Sequence, residues 1–74
     1  MMKRITLEED GIRLIFILDG KIVSNTKSLF IPAVGDFLYL ILWDSEHTKY
    51  QVKDRNWIYG LGEILKIEIT IFKI

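Results

Sequence analysis

The chain has 74 residues, 50% of them hydrophobic, with 10 basic and 10 acidic side chains and no cysteine. That length holds one domain rather than two, and the lack of thiols excludes disulfides, thiolate catalysis and zinc–thiolate sites together. A formal net charge of 0 argues against a dedicated nucleic-acid binder, whose affinity ordinarily comes from a basic excess that neutralises phosphates.

Residues 1–11, MMKRITLEEDG, are charged and lack the apolar stretch of a signal peptide. Within them residues 3–7 alternate, Ile5 and Leu7 against Arg4 and Thr6. They read as a first strand at a sheet edge, where charge discourages further pairing. Glu8-Glu9-Asp10-Gly11 reads as a turn whose acidic side chains serve solubility. Asp-Gly between alternating runs signals a hairpin, because a type I′ turn needs positive φ at both central positions. Residues 12–18 form the second strand, with Ile12, Leu14, Phe16 and Leu18 on one side and Arg13, Ile15 and Ile17 on the other. Asp19-Gly20 repeats the hairpin signal, and residues 21–23 begin a third strand. Residues 24–28, SNTKS, read as a loop or as a bulged continuation of that strand toward Leu29-Phe30-Ile31.

Pro32 marks a strand boundary, since proline cannot donate to a ladder. Residues 37–43, FLYLILW, carry no charge. The run is short and bounded by turn residues on both sides, which favours a strand over a buried helix. One face carries Phe37, Tyr39, Ile41 and Trp43, and the other Leu38, Leu40 and Leu42. Residues 44–49 read as a polar loop, and residues 50–59 as a return strand rich in aromatic and β-branched side chains. Gly60-Leu61-Gly62 breaks the pattern; with no helix and lysine after it, it is not a phosphate loop. In residues 63–74, Leu65, Ile67, Ile69 and Ile71 face one way and Lys66, Glu68 and Thr70 the other, the mark of a half-buried strand.

Five or six short strands with tight turns and no helical periodicity predict a single all-β domain over residues 1–74, a small antiparallel barrel or sandwich. Closure would dispose of sheet edges that so apolar a chain leaves adhesive. No apolar run approaches the ~20 residues that cross a bilayer, so a soluble cytoplasmic protein without membrane contact is expected. Only one face of residues 37–43 can point into the core of a small domain, and the usual half-wet sheet would show polar residues on the other. Alternation alone leaves open which face is inside.

The pattern Ile31-Pro32-x-Val34-Gly35-Asp36-x-Leu38-x-Leu40, then Tyr50-x-Val52, then Trp57, resembles that of small SH3-like barrel proteins of bacteria and their phages. The resemblance covers about the second half of the chain. It departs at Asp54-Arg55-Asn56, where an apolar residue is usual and a bulge would be needed. What it implies is an SH3-like barrel and no activity. It also implies that Leu38 and Leu40 face the core with Tyr50 and Val52, which turns Phe37, Tyr39, Ile41 and Trp43 outward.

That outward stripe is the sharpest candidate site, because exposed aromatics supply large contact area in protein interfaces. The plainer alternative is that another strand, or residues 24–31, covers it within one chain. Lys53, Arg55, Trp57 and Tyr59 share one parity of the return strand. Basic residues interleaved with aromatics can track single-stranded nucleic acid; the plainer alternative is a solvated strand face with Trp57 over one end of the barrel. His47 is the only histidine. No nucleophile or carboxylate motif frames it, and with Asp44 and Glu46 it makes an incomplete metal site. The expectation is therefore a non-catalytic protein-binding or assembly module with no cofactor or metal. Its partner would be another copy, as in a homodimer, or a larger cytoplasmic assembly. The alternative is single-stranded nucleic-acid binding through Lys53, Arg55, Trp57 and Tyr59.

Overall fold

The structure, a computed structural model, describes residues 11–41 and 47–74. They form β1 (Ile12–Leu18), β2 (Lys21–Ser28), β3 (Phe37–Ile41), β4 (His47–Gly60) and β5 (Glu63–Lys73), joined in one sheet of order β2-β1-β5-β4-β3. Among the described residues there is no helix long and apolar enough to cross a membrane. The expected first strand over residues 3–7 and the turn leading from it lie outside the described residues.

Two hairpins set the local geometry. Asp19 and Gly20 have φ of 53° and 79°, and Leu61 and Gly62 have 54° and 81°. Positive φ at both central positions matches the right-handed twist of the flanking strands, so β1–β2 and β4–β5 close with two-residue turns. Residues 24–28 continue β2, as the bulged alternative has it. Pairing steps from Phe16 opposite Ser24 to Ile17 opposite Ile22, which leaves Val23 unpaired. β4 begins at His47, so the expected loop over residues 44–49 needs correcting in its second half. His47, Thr48 and Lys49 pair with Ile41, Leu40 and Tyr39. His47 and Lys49 are exposed on the strand while Thr48 is half-buried, and polarity alone does not separate that from a loop.

The expectation of a purely antiparallel barrel also needs correcting. β1 and β5 run parallel, with Leu14 opposite Ile67 and Leu18 opposite Ile71. Turn chemistry dictates only the neighbours that a hairpin joins, whereas a parallel pair is joined by a long crossover, here everything between Leu18 and Glu63. The sheet is mixed and curls into a half-barrel. Among the described residues β2 and β3 each have a single neighbour.

The core fills the concave face. Ile67, Ile69 and Ile71 of β5 stand between Leu14 and Phe16 of β1 and Tyr50 and Val52 of β4, all buried. Ile12, Leu18, Val23, Ile31, Leu38, Leu40 and Ile64 pack around them. Leu65 does not join the dry side it shares by alternation. Pairing steps from Ile58 opposite Lys66 to Tyr59 opposite Ile64, so Leu65 is left unpaired and half exposed while Ile64 packs on the core. Ile15 is buried on the opposite, convex face. Its cross-strand neighbours Asn25 and Glu68 are tied down by Arg13, which donates to Asn25 Oδ1 at 2.5 Å, and by Lys66 at 3.8 Å from Glu68.

The link from β2 to β3 is sewn to β4. Gly35 N–H donates to the Val52 carbonyl (2.9 Å), Val52 N–H to the Asp36 carbonyl (2.9 Å), and Gln51 Nε2 to the Gly35 carbonyl (3.1 Å). Asp36 Oδ2 accepts from Ala33 N–H at 2.8 Å. These bonds hold the entry to β3, and with it the register of the strand on which the candidate site stands.

Candidate interaction surface

β3 is FLYLI, and its side chains alternate across the sheet. Leu38 and Leu40 are half-buried against the core, while Phe37 and Tyr39 are 57% and 63% exposed on the convex face. Of Ile41 only the backbone belongs to the described residues, where it pairs with His47; Trp43 lies outside them.

The convex patch is wider than β3. Phe37 stands opposite Gln51, which stands opposite Phe72 of β5. Tyr39 stands opposite Lys49, whose carbonyl accepts from Ile74 N–H at 3.1 Å. Phe72 and Ile74 are exposed. Aromatic and aliphatic side chains on β3 and at the end of β5 therefore flank a polar column, Lys49 and Gln51, on β4. Lys49 Nζ lies 4.6 Å from the centroid of the Phe37 ring, a cation–π contact that holds the ring against the sheet. The alternation of β5 carried the signal for Phe72. It occupies the wet parity of Lys66, Glu68 and Thr70, where an apolar residue is out of place.

The second candidate set does not stay together. Pairing steps from Val52 opposite Ile71 to Asp54 opposite Thr70, leaving Lys53 as the extra residue of a bulge. Beyond it Arg55 and Trp57 pair with the core residues Ile69 and Ile67, so they belong to the concave side and Lys53 does not. Arg55 Nη1 donates to the Pro32 carbonyl at 3.2 Å, and its guanidinium carbon lies 5.5 Å from the Trp57 ring centroid. Trp57 and Tyr59 are exposed. They stand where the β4–β5 hairpin outruns its neighbours, since β1 meets β5 only from Ile67 and β3 meets β4 only as far as Gln51. Leu61, at the hairpin tip, is fully exposed.

His47 sits exposed at the start of β4; Asp44 and Glu46 lie outside the described residues. Among the described residues no group of three or more His, Asp or Glu could hold a metal ion. No protein-family model, no curated protein and no solved structure matches the chain.

Proposed function

We propose that the chain is a non-catalytic protein-binding module that joins an assembly through β3, using the edge that no strand covers among the described residues and the aromatic convex face beside it. One observation carries this reading: an uncharged edge strand turns Phe37 and Tyr39 into solvent instead of the polar residues a half-wet sheet carries there. Aromatic side chains so placed are the usual anchors of protein interfaces. Phe72 and Ile74 extend the area, and Lys49 and Gln51 supply polar partners within it. A relationship to SH3-like barrels enters this reading only through the pattern that runs from Ile31 through Tyr50-x-Val52 to Trp57, and a cytoplasmic setting only through the missing cysteines and the lack of a bilayer-length apolar run in the sequence.

Single-stranded nucleic acid bound through Lys53, Arg55, Trp57 and Tyr59 draws less support. The bulge turns Lys53 away from the others, and the Arg55 guanidinium is engaged with Pro32 and Trp57.

The test compares the wild type with Tyr39→Lys by light scattering and by capture of protein partners. The expected result is association by the wild type, with itself or with another protein, that Tyr39→Lys abolishes without loss of thermal stability. Monomers in both cases, with no protein captured by either, would overturn the reading.

A further inference from the structure

The hydrogen-bond phase of β3 identifies what fits its open edge. Val52 N–H donates to the Asp36 carbonyl, and the register continues through Leu38 opposite Tyr50 and Leu40 opposite Thr48. In an antiparallel ladder every second residue points both its N–H and its C=O at the same neighbour. Leu38 and Leu40 therefore address β4 with both groups, and Asp36 with its carbonyl, while the Asp36 N–H donates to the Ala33 carbonyl. Phe37, Tyr39 and Ile41 present their donors and acceptors to the open side, where among the described residues no strand receives them.

Those groups form a self-complementary set. Read from either end, FLYLI places a large apolar residue, leucine, tyrosine, leucine and a large apolar residue. Set antiparallel against a second copy with Tyr39 on the two-fold axis, Tyr39 meets Tyr39, Phe37 meets Ile41 and Leu38 meets Leu40. In this register every outward N–H of the strand finds an outward carbonyl. A two-fold axis one residue to either side leaves some of them without partners. No charged side chain stands in the strand, so two copies bring no like charges opposite one another. The neutral chain adds no net repulsion. Leu38 and Leu40, half-buried at the rim of one core, gain the same pair from the other copy. Paired with a second copy, the strand sets tyrosine against tyrosine, leucine against leucine and phenylalanine against isoleucine, with no polar or like-charged mismatch at any step.

We infer, resting on the binding role proposed above, that β3 is a homodimerisation edge. A second copy adds its own β3 antiparallel with Tyr39 on the axis, joining two five-stranded sheets into one. A strand of 5 residues covers less than the roughly 1,200–2,000 Å² of a stable specific interface, so the dimer is weak and concentration-dependent.

The chain has no cysteine, so single-cysteine variants report the register directly. In Tyr39→Cys the two thiols stand on directly opposed residues about 5.5 Å apart at Cα, a span that a disulfide bridges. In Phe37→Cys they stand about 14 Å apart along the strands. Under mild oxidation at a concentration where the wild-type mass by light scattering approaches that of two chains, Tyr39→Cys should cross-link. Phe37→Cys alone should not, and a mixture of Phe37→Cys with Ile41→Cys should cross-link to each other. Far-ultraviolet circular dichroism of each variant matching the wild type shows that the sheet survives. A wild type that stays at single-chain mass up to millimolar concentration would overturn the inference, as would Phe37→Cys cross-linking as fast as Tyr39→Cys. So would slow hydrogen exchange of the Phe37 and Tyr39 amides in a monomer, which would mean that another segment of the same chain covers the edge. A wild-type monomer that still captures a different protein, and loses it on Tyr39→Lys, overturns the dimer while leaving the binding role intact.

Discussion

The β1–β2 hairpin and the β3–β4–β5 side of the sheet solve the same problem in opposite ways. Each ends in a strand with one neighbour among the described residues. β2 is defended: it carries Lys21, Ser24, Asn25, Thr26 and Ser28, and a bulge at Val23 interrupts its ladder. Polar side chains and bulges are the usual means of keeping an edge from recruiting another strand. β3 has neither, and its convex residues are aromatic. The two turns differ in the same sense. Asp19-Gly20 puts aspartate, which tolerates the left-handed region, at the first positive φ, whereas Leu61-Gly62 puts a leucine there with nothing to bury it. The contrast between a defended and an undefended edge is what the proposed binding role of β3 rests on.

The comparison can be broken most completely at the core that both halves share. Ile69 is wholly buried between β1 and β4, so Ile69→Ala should cost about 2–5 kcal/mol, read from the shift in urea midpoint. A cost below about 1 kcal/mol would mean that the two halves do not hang on one core. Next, proline separates the two sides of β3 itself. Leu40→Pro deletes a donor aimed at β4 and should cost about 1–3 kcal/mol. Tyr39→Pro deletes only a donor aimed outward and should leave thermal unfolding of the monomer nearly unchanged, as proline does on edge strands. Equal losses for the two variants would show that the ladder phase is wrong. Leu61→Gly should raise stability by about 0.5–1 kcal/mol, because relief of left-handed strain outweighs the added freedom of the unfolded chain; a higher melting temperature is the readout. The smallest effect belongs to the defended edge: Asn25→Ala removes an exposed bond from Arg13 and should cost about 0.5 kcal/mol or less, with no change in association state.

Strand-making in this chain is a local matter, and it is legible where side chains repeat. Residues 12–18 and 63–74 show the alternation of strands, the short apolar run that starts residues 37–43 is bounded by turn residues, and Asp19-Gly20 announces its hairpin. β2 was harder to read, because SNTKS looks the same in a loop and on a solvated edge. The bulges at Val23 and Lys53 were hinted at by SNTKS and by Asp54-Arg55-Asn56 but fall a residue away from those stretches, and the one at Leu65 left no plain trace. Each shifts parity by one residue, which is why Lys53 parts from Arg55 and Leu65 from Ile67. Phe72 was readable as an apolar residue on a wet face; its neighbours across β4 were not.

Composition and alternation were enough to point to an all-β fold and to show that residues 37–43 are apolar at both parities. They could not say which strands lie side by side. The parallel pairing of β1 with β5, the position of β3 at an edge and the burial of Leu38 and Leu40 rather than Phe37 and Tyr39 all depend on residues far apart in the chain. A side chain's alternation is set by its own backbone, but whether its face is wet or dry is set by what the rest of the sheet brings against it.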